Sequence, residues 1–195
     1  MEVSVRSPFP FEALPRVWMW IQKFRHKVAD DFSPKTLEEF VSLEASKWDR
    51  QKTWAIYGDG ELGGLVVFER ESPWVGSAHL VLKPDFQGKG LAVKALRQTF
   101  GAMFAEGVGR LVFYVFSGNL AVGSLIVNLG GQREGCLRGH SLQDGKPADV
   151  WVYGLMKAEF EGKQHELSVR KHQNDQQQQH ADHDPAGVAA IQLAA

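Results

Sequence analysis

The chain has 195 residues, 44% of them hydrophobic, enough to bury the core of one domain with room for an appendage. Its net charge of -1 offers no global field to a nucleic acid or a membrane surface, and its single cysteine, Cys136, excludes an internal disulfide and suits a reducing compartment. No apolar run reaches membrane-spanning length and Met1-Glu2 does not open a secretory leader, so a cytoplasmic protein with no nucleic-acid or membrane partner is expected.

Glu2 to Arg6 alternates weakly and predicts a first strand, broken by Pro8 and Pro10. Val17, Trp18, Ile21, Phe24 and Val28 then mark one face of a helix. Asp30 to Pro34 is a break. Thr36 and Glu39 form a capping-box pair ahead of a second helix, with Leu37, Phe40, Val41 and Trp48 on its buried side. Lys52 to Tyr57 and Leu62 to Phe68 read as strands joined by a hairpin at Asp59-Gly60.

Ala78 to Leu82 is the next strand, and it delivers the chain to Lys83-Pro84-Asp85-Phe86-Gln87-Gly88-Lys89-Gly90. A long helix follows, with Ala92, Ala95, Leu96, Phe100, Met103 and Phe104 on one face and Gly107 and Gly109 as stop signals. Leu111 to Phe116 predicts a buried strand, and Leu120 to Leu129 a short helix stopped by Gly130-Gly131. Arg133 to His140 and Asp149 to Met156 close the fold as two strands around the turn at Asp144-Gly145.

From Lys163 the composition changes. Gln176 to Gln179 is a homopolymer flanked by His172, His180 and His183, and the end is rich in alanine. A domain over residues 1–162 with a disordered tail over 163–195 is expected. Without a local fold to fix the histidines, no metal site is expected. Val188 to Leu193 could form a short docking helix.

The glycine loop carries the chemistry. Gly88 and Gly90 remove Cβ atoms where a ligand must approach, and the helix that follows offers unpaired N–H groups and the positive end of its dipole. That arrangement suits a phosphate or pyrophosphate. The NTPase phosphate loop does not fit, because Lys89 precedes the second glycine, and the dinucleotide fingerprint does not fit, because position 93 is Val.

Gln87-Gly88-Lys89-Gly90-Leu91-Ala92 instead resembles the Q/R-x-x-G-x-G/A signature of the GNAT N-acetyltransferases. A second segment, Asn119 to Gly135, resembles the branch of that superfamily that acetylates ribosomal-protein N-termini, with Asn119, Leu129, Gly130, Glu134 and Gly135 in register. The resemblance implies an α/β fold: a mixed, mostly antiparallel sheet with a parallel, splayed strand pair, flanked by helices. It also implies acetyl-coenzyme A as cofactor. Backbone groups of Leu80, Val81 and Leu82 are then expected to pair with its pantetheine arm. The amides of Gln87, Gly88, Lys89, Gly90, Leu91 and Ala92 are expected to hold its pyrophosphate, and Asn119 to bond the arm from the other side. The implied partner is a small-molecule or peptide amine acceptor, and a homodimer is compatible.

Amine acetylation asks for a base, because an aliphatic amine with a pKa of about 10 arrives protonated. His79, on the strand entering the loop, is the first candidate, beside the plain reading of a hydrogen-bonded structural histidine. Glu134 is an orienting carboxylate or a strand-end charge. Tyr153 is an acid for the leaving thiolate or a filler of the sheet. Cys136 reads as a small hydrophobe rather than a nucleophile. The chain departs from the family where a hydroxyl is usual: Val122 and Ile126 stand at those positions. Two functions therefore compete. One is an N-acetyltransferase acting by direct attack of the amine. The other is an acetyltransferase-like domain kept for binding or assembly, as in acetyltransferase-like proteins of tailed phages.

Overall fold

The computed structural model describes residues 2–183. Seven strands form one sheet: β1 (Val3–Arg6), β2 (Gln51–Gly58), β3 (Glu61–Arg70), β4 (Val75–Leu82), β5 (Arg110–Phe116), β6 (Gln132–Gln143) and β7 (Lys146–Met156), in the order β1-β2-β3-β4-β5-β7-β6. All neighbours are antiparallel except β4 and β5, which are parallel. This is the mixed α/β architecture that the sequence resemblance implied. Both Asp-Gly pairs turn as expected, with positive φ at each central residue: 49° and 83° at Asp59 and Gly60, 51° and 70° at Asp144 and Gly145. That geometry matches the right-handed twist of the flanking strands.

The β4–β5 pair is short. Val75 faces Arg110, Gly76 faces Leu111, Ser77 faces Val112, and pairing stops there. Both strands continue, β4 still bonded to β3 as far as Leu82 and β5 to β7 as far as Phe116. A wedge therefore opens in the middle of the sheet.

Among the described residues six α-helices cover the sheet: α1 (Leu14–Gln22), α2 (Arg25–Val28), α3 (Leu37–Lys47), α4 (Leu91–Ala105), α5 (Leu120–Asn128) and α6 (Lys157–His183). On one face Val66, Phe68, Leu111, Phe113 and Val115 pack against Leu96, Phe100, Met103 and Phe104 of α4. On the other, Ala55, Leu65 and Val67 pack against Leu14, Val17 and Trp20 of α1 and Phe40 of α3. Strand alternation divides β4 between the two: Ala78, Leu80 and Leu82 serve the first, while His79 and Val81 look toward α1 and α3.

One expectation needs correction. The single helix read from Val17 to Val28 is two, interrupted where Phe24 leaves the helical region at φ -135° and ψ 27°. The physical reason is that Phe24 and Val28 belong to neither core cluster; they face the wedge, and the chain must turn to put them there. The capping box holds as expected, with Thr36 Oγ1 accepting from Glu39 N–H at 3.1 Å. The tail was expected from residue 163, and residues 163–183 are helical. They continue α6, so a boundary at residue 162 falls inside a helix. The first turn is anchored: Phe160 is buried against Phe104, ring centres 5.3 Å apart, and Glu159 accepts from Met156 N–H at 2.9 Å. From that nucleus, Glu166 pairs with Lys163 and Arg170 at helical spacing and propagation is cheap. The expected docking helix at Val188 to Leu193 lies outside the described residues.

Candidate active site

After β4 the chain makes one turn of 3-10 helix, Pro84–Phe86, with Phe86 buried and Lys83 N–H donating to Gly63 O at 2.9 Å. These contacts fix the start of the glycine loop. Gly88 and Gly90 both adopt φ near +74° (73° and 74°), a region that costs a Cβ-bearing residue about a kilocalorie or more. A Cβ at either position would meet nothing within 4 Å, so the side of the loop that it would occupy is open. Gly90 opens α4 without a side-chain cap. The first N–H groups of α4 therefore have neither intrahelical acceptors nor a capping oxygen, at the positive end of a fifteen-residue helix. Gln87 turns its amide back to Leu82 O at 3.4 Å. Gln87 and Lys89 are exposed, Leu91 is buried and Ala92 half-buried. This donor set fits a pyrophosphate.

The wedge continues into a cleft of about 370 Å³. Ala78, His79, Leu80 and Val81 form one side of it, and Phe113 to Phe116 with Asn119 and Val122 form the other. The helices α1 to α3 supply the remaining wall. Of the residues singled out from sequence, His79, Leu80, Val81 and Asn119 thus meet in one cleft, and Leu82 leads from it to the loop. Asn119 also donates to Lys27 O at 3.4 Å, tying the start of α5 to α2.

His79 is open to solvent within the cleft, yet protein crowds it on its other sides. This withdrawal from bulk water pushes its pKa below 6.5; Glu69 and Glu71 oppose the shift and Lys47 adds to it. The imidazole is therefore neutral at neutral pH. Glu44, on α3, lines the same cleft and was not foreseen. Burial pushes its carboxyl up from 4.5, with Lys47 opposing and Glu69 reinforcing. Its one available signal was spacing: Glu44 follows the buried Phe40 by four residues, so a carboxylate sits on the apolar face of a helix. Tyr114 was read as part of a buried strand, but it is 52% exposed and lines the cleft.

Tyr153 and Glu134 do not line this cleft. Tyr153 is buried in the α4-side cluster, its ring edge toward Trp151. Its hydroxyl lies under α5, where a Cβ on Gly123 would come within 2.4 Å of it. Gly123→Ala should therefore cost about 1–3 kcal/mol by overpacking, read as a fall in Tm. Adding Tyr153→Phe should recover part of that loss; a fully additive double variant would rule out the contact. Glu134 is the extra residue of a bulge in β6, between Arg133 opposite Tyr153 and Gly135 opposite Val152. It receives both guanidinium nitrogens of Arg110, one at 2.8 Å, and that hydrogen bonding holds the Arg110 pKa above its usual value.

A strap crosses from α2 to α3 and is bonded to the β6–β7 hairpin. Asp31 N–H donates to Leu142 O at 2.8 Å, and the Asp31 carboxylate accepts from the N–H groups of Asp144 and Gly145 at 3.0 and 2.8 Å. Gln143 donates to Ala29 O at 2.9 Å, and Ser141 Oγ donates to Asp30 at 2.6 Å. Partial burial works against the Asp30 anion, but bonds from Ser141, Ser33 and the backbone outweigh it and leave its pKa below 3.8. Beside the strap lies a second hollow of about 280 Å³, which shares Tyr114 and Phe116 with the main cleft.

Among known proteins, the sequence model of the acetyltransferase (GNAT) domain matches residues 8–132, more than half of the chain. No curated protein matches the chain significantly. A solved structure of spermidine N-acetyltransferase from Vibrio cholerae, in complex with CoA and spermine, is 16% identical with a TM-score of 0.69, covering 81% of this chain and 97% of its own. An N-acetyltransferase from Staphylococcus aureus Mu50 is 18% identical with a TM-score of 0.65, covering 80% and 99%. An acetyltransferase of the GNAT family from Streptococcus pneumoniae is 21% identical with a TM-score of 0.60, covering 80% and 99%. At these identities the likeness is one of fold.

Proposed function

The chain belongs to the GNAT acetyltransferase family, and from that premise we propose that it moves an acetyl group from acetyl-coenzyme A to a primary amine by direct attack. One observation carries the reading: the strand that borders the wedge leads, through one 3-10 turn, to the uncapped glycine turn of α4. A long ligand with a pantetheine arm and a pyrophosphate needs both parts, in that order.

When bound, acetyl-coenzyme A supplies a thioester carbonyl and a thiolate leaving group. The residues of the chain do the rest. The N–H groups from Gln87 to Ala92 hold the pyrophosphate, and the wedge-facing backbone of Leu80 to Leu82 pairs with the arm. Asn119 bonds that arm from the β5 side. A backbone N–H near Leu82 would polarise the thioester carbonyl. His79, neutral at neutral pH, takes the proton from the incoming ammonium, leaving the nitrogen lone pair free to attack. Tyr153 acts through packing, and Glu134 through its pair with Arg110.

Placement in the ribosomal-protein N-terminal branch is part of the same proposal, but its motif reads here as scaffold. Leu129 is fully buried, and Gly130, at φ 105°, passes against the Glu159 carbonyl. A second reading, binding without turnover, draws support from α5: Val122 is apolar and Ile126 is buried where the family places hydroxyls. Release of free thiol from acetyl-coenzyme A across a panel of amines separates the two. Turnover with any amine supports the enzyme. A thermal shift by acetyl-coenzyme A without turnover supports the binder, and no shift at millimolar cofactor removes both.

A further inference from the structure

We propose that the acceptor of this site is a primary monoamine carried on an apolar body of aromatic size, its ammonium group held by Glu44. The proposal rests on the acetyltransferase reading and names its acceptor class. The wall that α1 to α3 give the cleft is mostly apolar: Trp18 and Phe40, ring centres 5.5 Å apart, with Ile21, Phe24, Pro34 and Leu43. A ring or alkyl body gains by covering such a wall, whereas a sugar would leave its hydroxyl groups short of partners.

Charge then limits the number of amines. Among the described residues lining the cleft, Glu44 is the one carboxylate, and it is short of water. A cation brought against it restores what burial removed. Arg25 and Lys27 line the same cleft, Arg25 lying 5.8 Å over the Trp18 ring. A second or third ammonium of a polyamine would meet these like charges. In the adjoining hollow the carboxylate is Asp30, a weaker anchor because it is already engaged. Both oxygens of Asp30 are already bonded, one to Ser33 at 2.7 Å and the other to Ser141 at 2.6 Å. The hollow continues the apolar path through Phe32, Tyr114, Phe116 and Val150.

Steady-state thiol release with phenethylamine, tryptamine, spermidine, kanamycin and an unblocked peptide tests this, run beside the acetyl-coenzyme A melting shift. The kcat/KM for phenethylamine or tryptamine should exceed that for spermidine by about tenfold or more. Glu44→Gln should raise the KM for the aromatic amine about tenfold and keep the cofactor shift, and Glu44→Asp should recover part of the KM. Preference for spermidine, kanamycin or the peptide overturns the proposal. So does an unchanged KM in Glu44→Gln, or a cofactor shift with no turnover of either aromatic amine. A missing cofactor shift removes the acetyltransferase reading itself, and this inference with it.

Discussion

Gly90→Asp should abolish the thermal stabilisation by acetyl-coenzyme A and weaken its binding by more than about a hundredfold. Two effects add. The residue sits at φ 74°, where a side chain is strained, so the turn that aims the α4 amides is distorted. The new carboxylate also stands at a helix N-terminus that has no side-chain cap. An anion there satisfies those donors itself and repels a pyrophosphate. The same variant should fold, since a Cβ at this position meets nothing within 4 Å. Gly90→Ala separates the causes: it keeps the strain and removes the charge, and should lose much less affinity. Isothermal titration checks both. Unaltered binding in Gly90→Asp would move the pyrophosphate elsewhere.

His79→Ala should lower kcat by about a hundredfold or more, the scale of general-base catalysis. The acceptor arrives as an ammonium ion, so without a base the reactive fraction is small. His79 is suited to the task because the protein crowding it lowers its pKa and so favours the base form. The sign follows. A lowered pKa keeps the base form present further into acid, so kcat should fall only below pH 6.5. That acid limb should vanish in His79→Ala while the cofactor shift remains. An unchanged rate and profile would pass the role to Glu44, the other titratable group of the cleft with a perturbed pKa, or to water.

What could be read in the sequence was what is local in the chain. The two Asp-Gly hairpins, the Thr36–Glu39 capping box and the strand, glycine turn and helix around Gly88 and Gly90 each depend on a few consecutive residues. The cleft depends on long-range placement. Glu44 matters because α3 and β4 line one cleft, and Tyr114 opens on that cleft because it lies beyond Val112, where β5 parts from β4; neither fact is written near those residues. The strap joins residues more than a hundred apart, Asp30 to Ser141 and Asp31 to Asp144. Nothing in Asp30 to Pro34 signals that distant hairpin. The break at Phe24 was hidden because its apolar spacing is helical, while its partner is the cleft rather than the core.

The wedge gives the free protein an internal pair of strand edges. Proteins usually keep such edges short and on the periphery, because unpaired N–H and C=O groups invite another chain. Here the edges of β4 and β5 beyond Ser77 and Val112 face one another across open space. The β4 amides that point into it are free to trade hydrogen for deuterium far sooner than those bonded to β3. A linear arm laid along that edge acts as a temporary eighth strand. Its mark in an exchange experiment is slowing at every second residue from Ala78 to Leu82, the period of a strand, with no change on the β3 side.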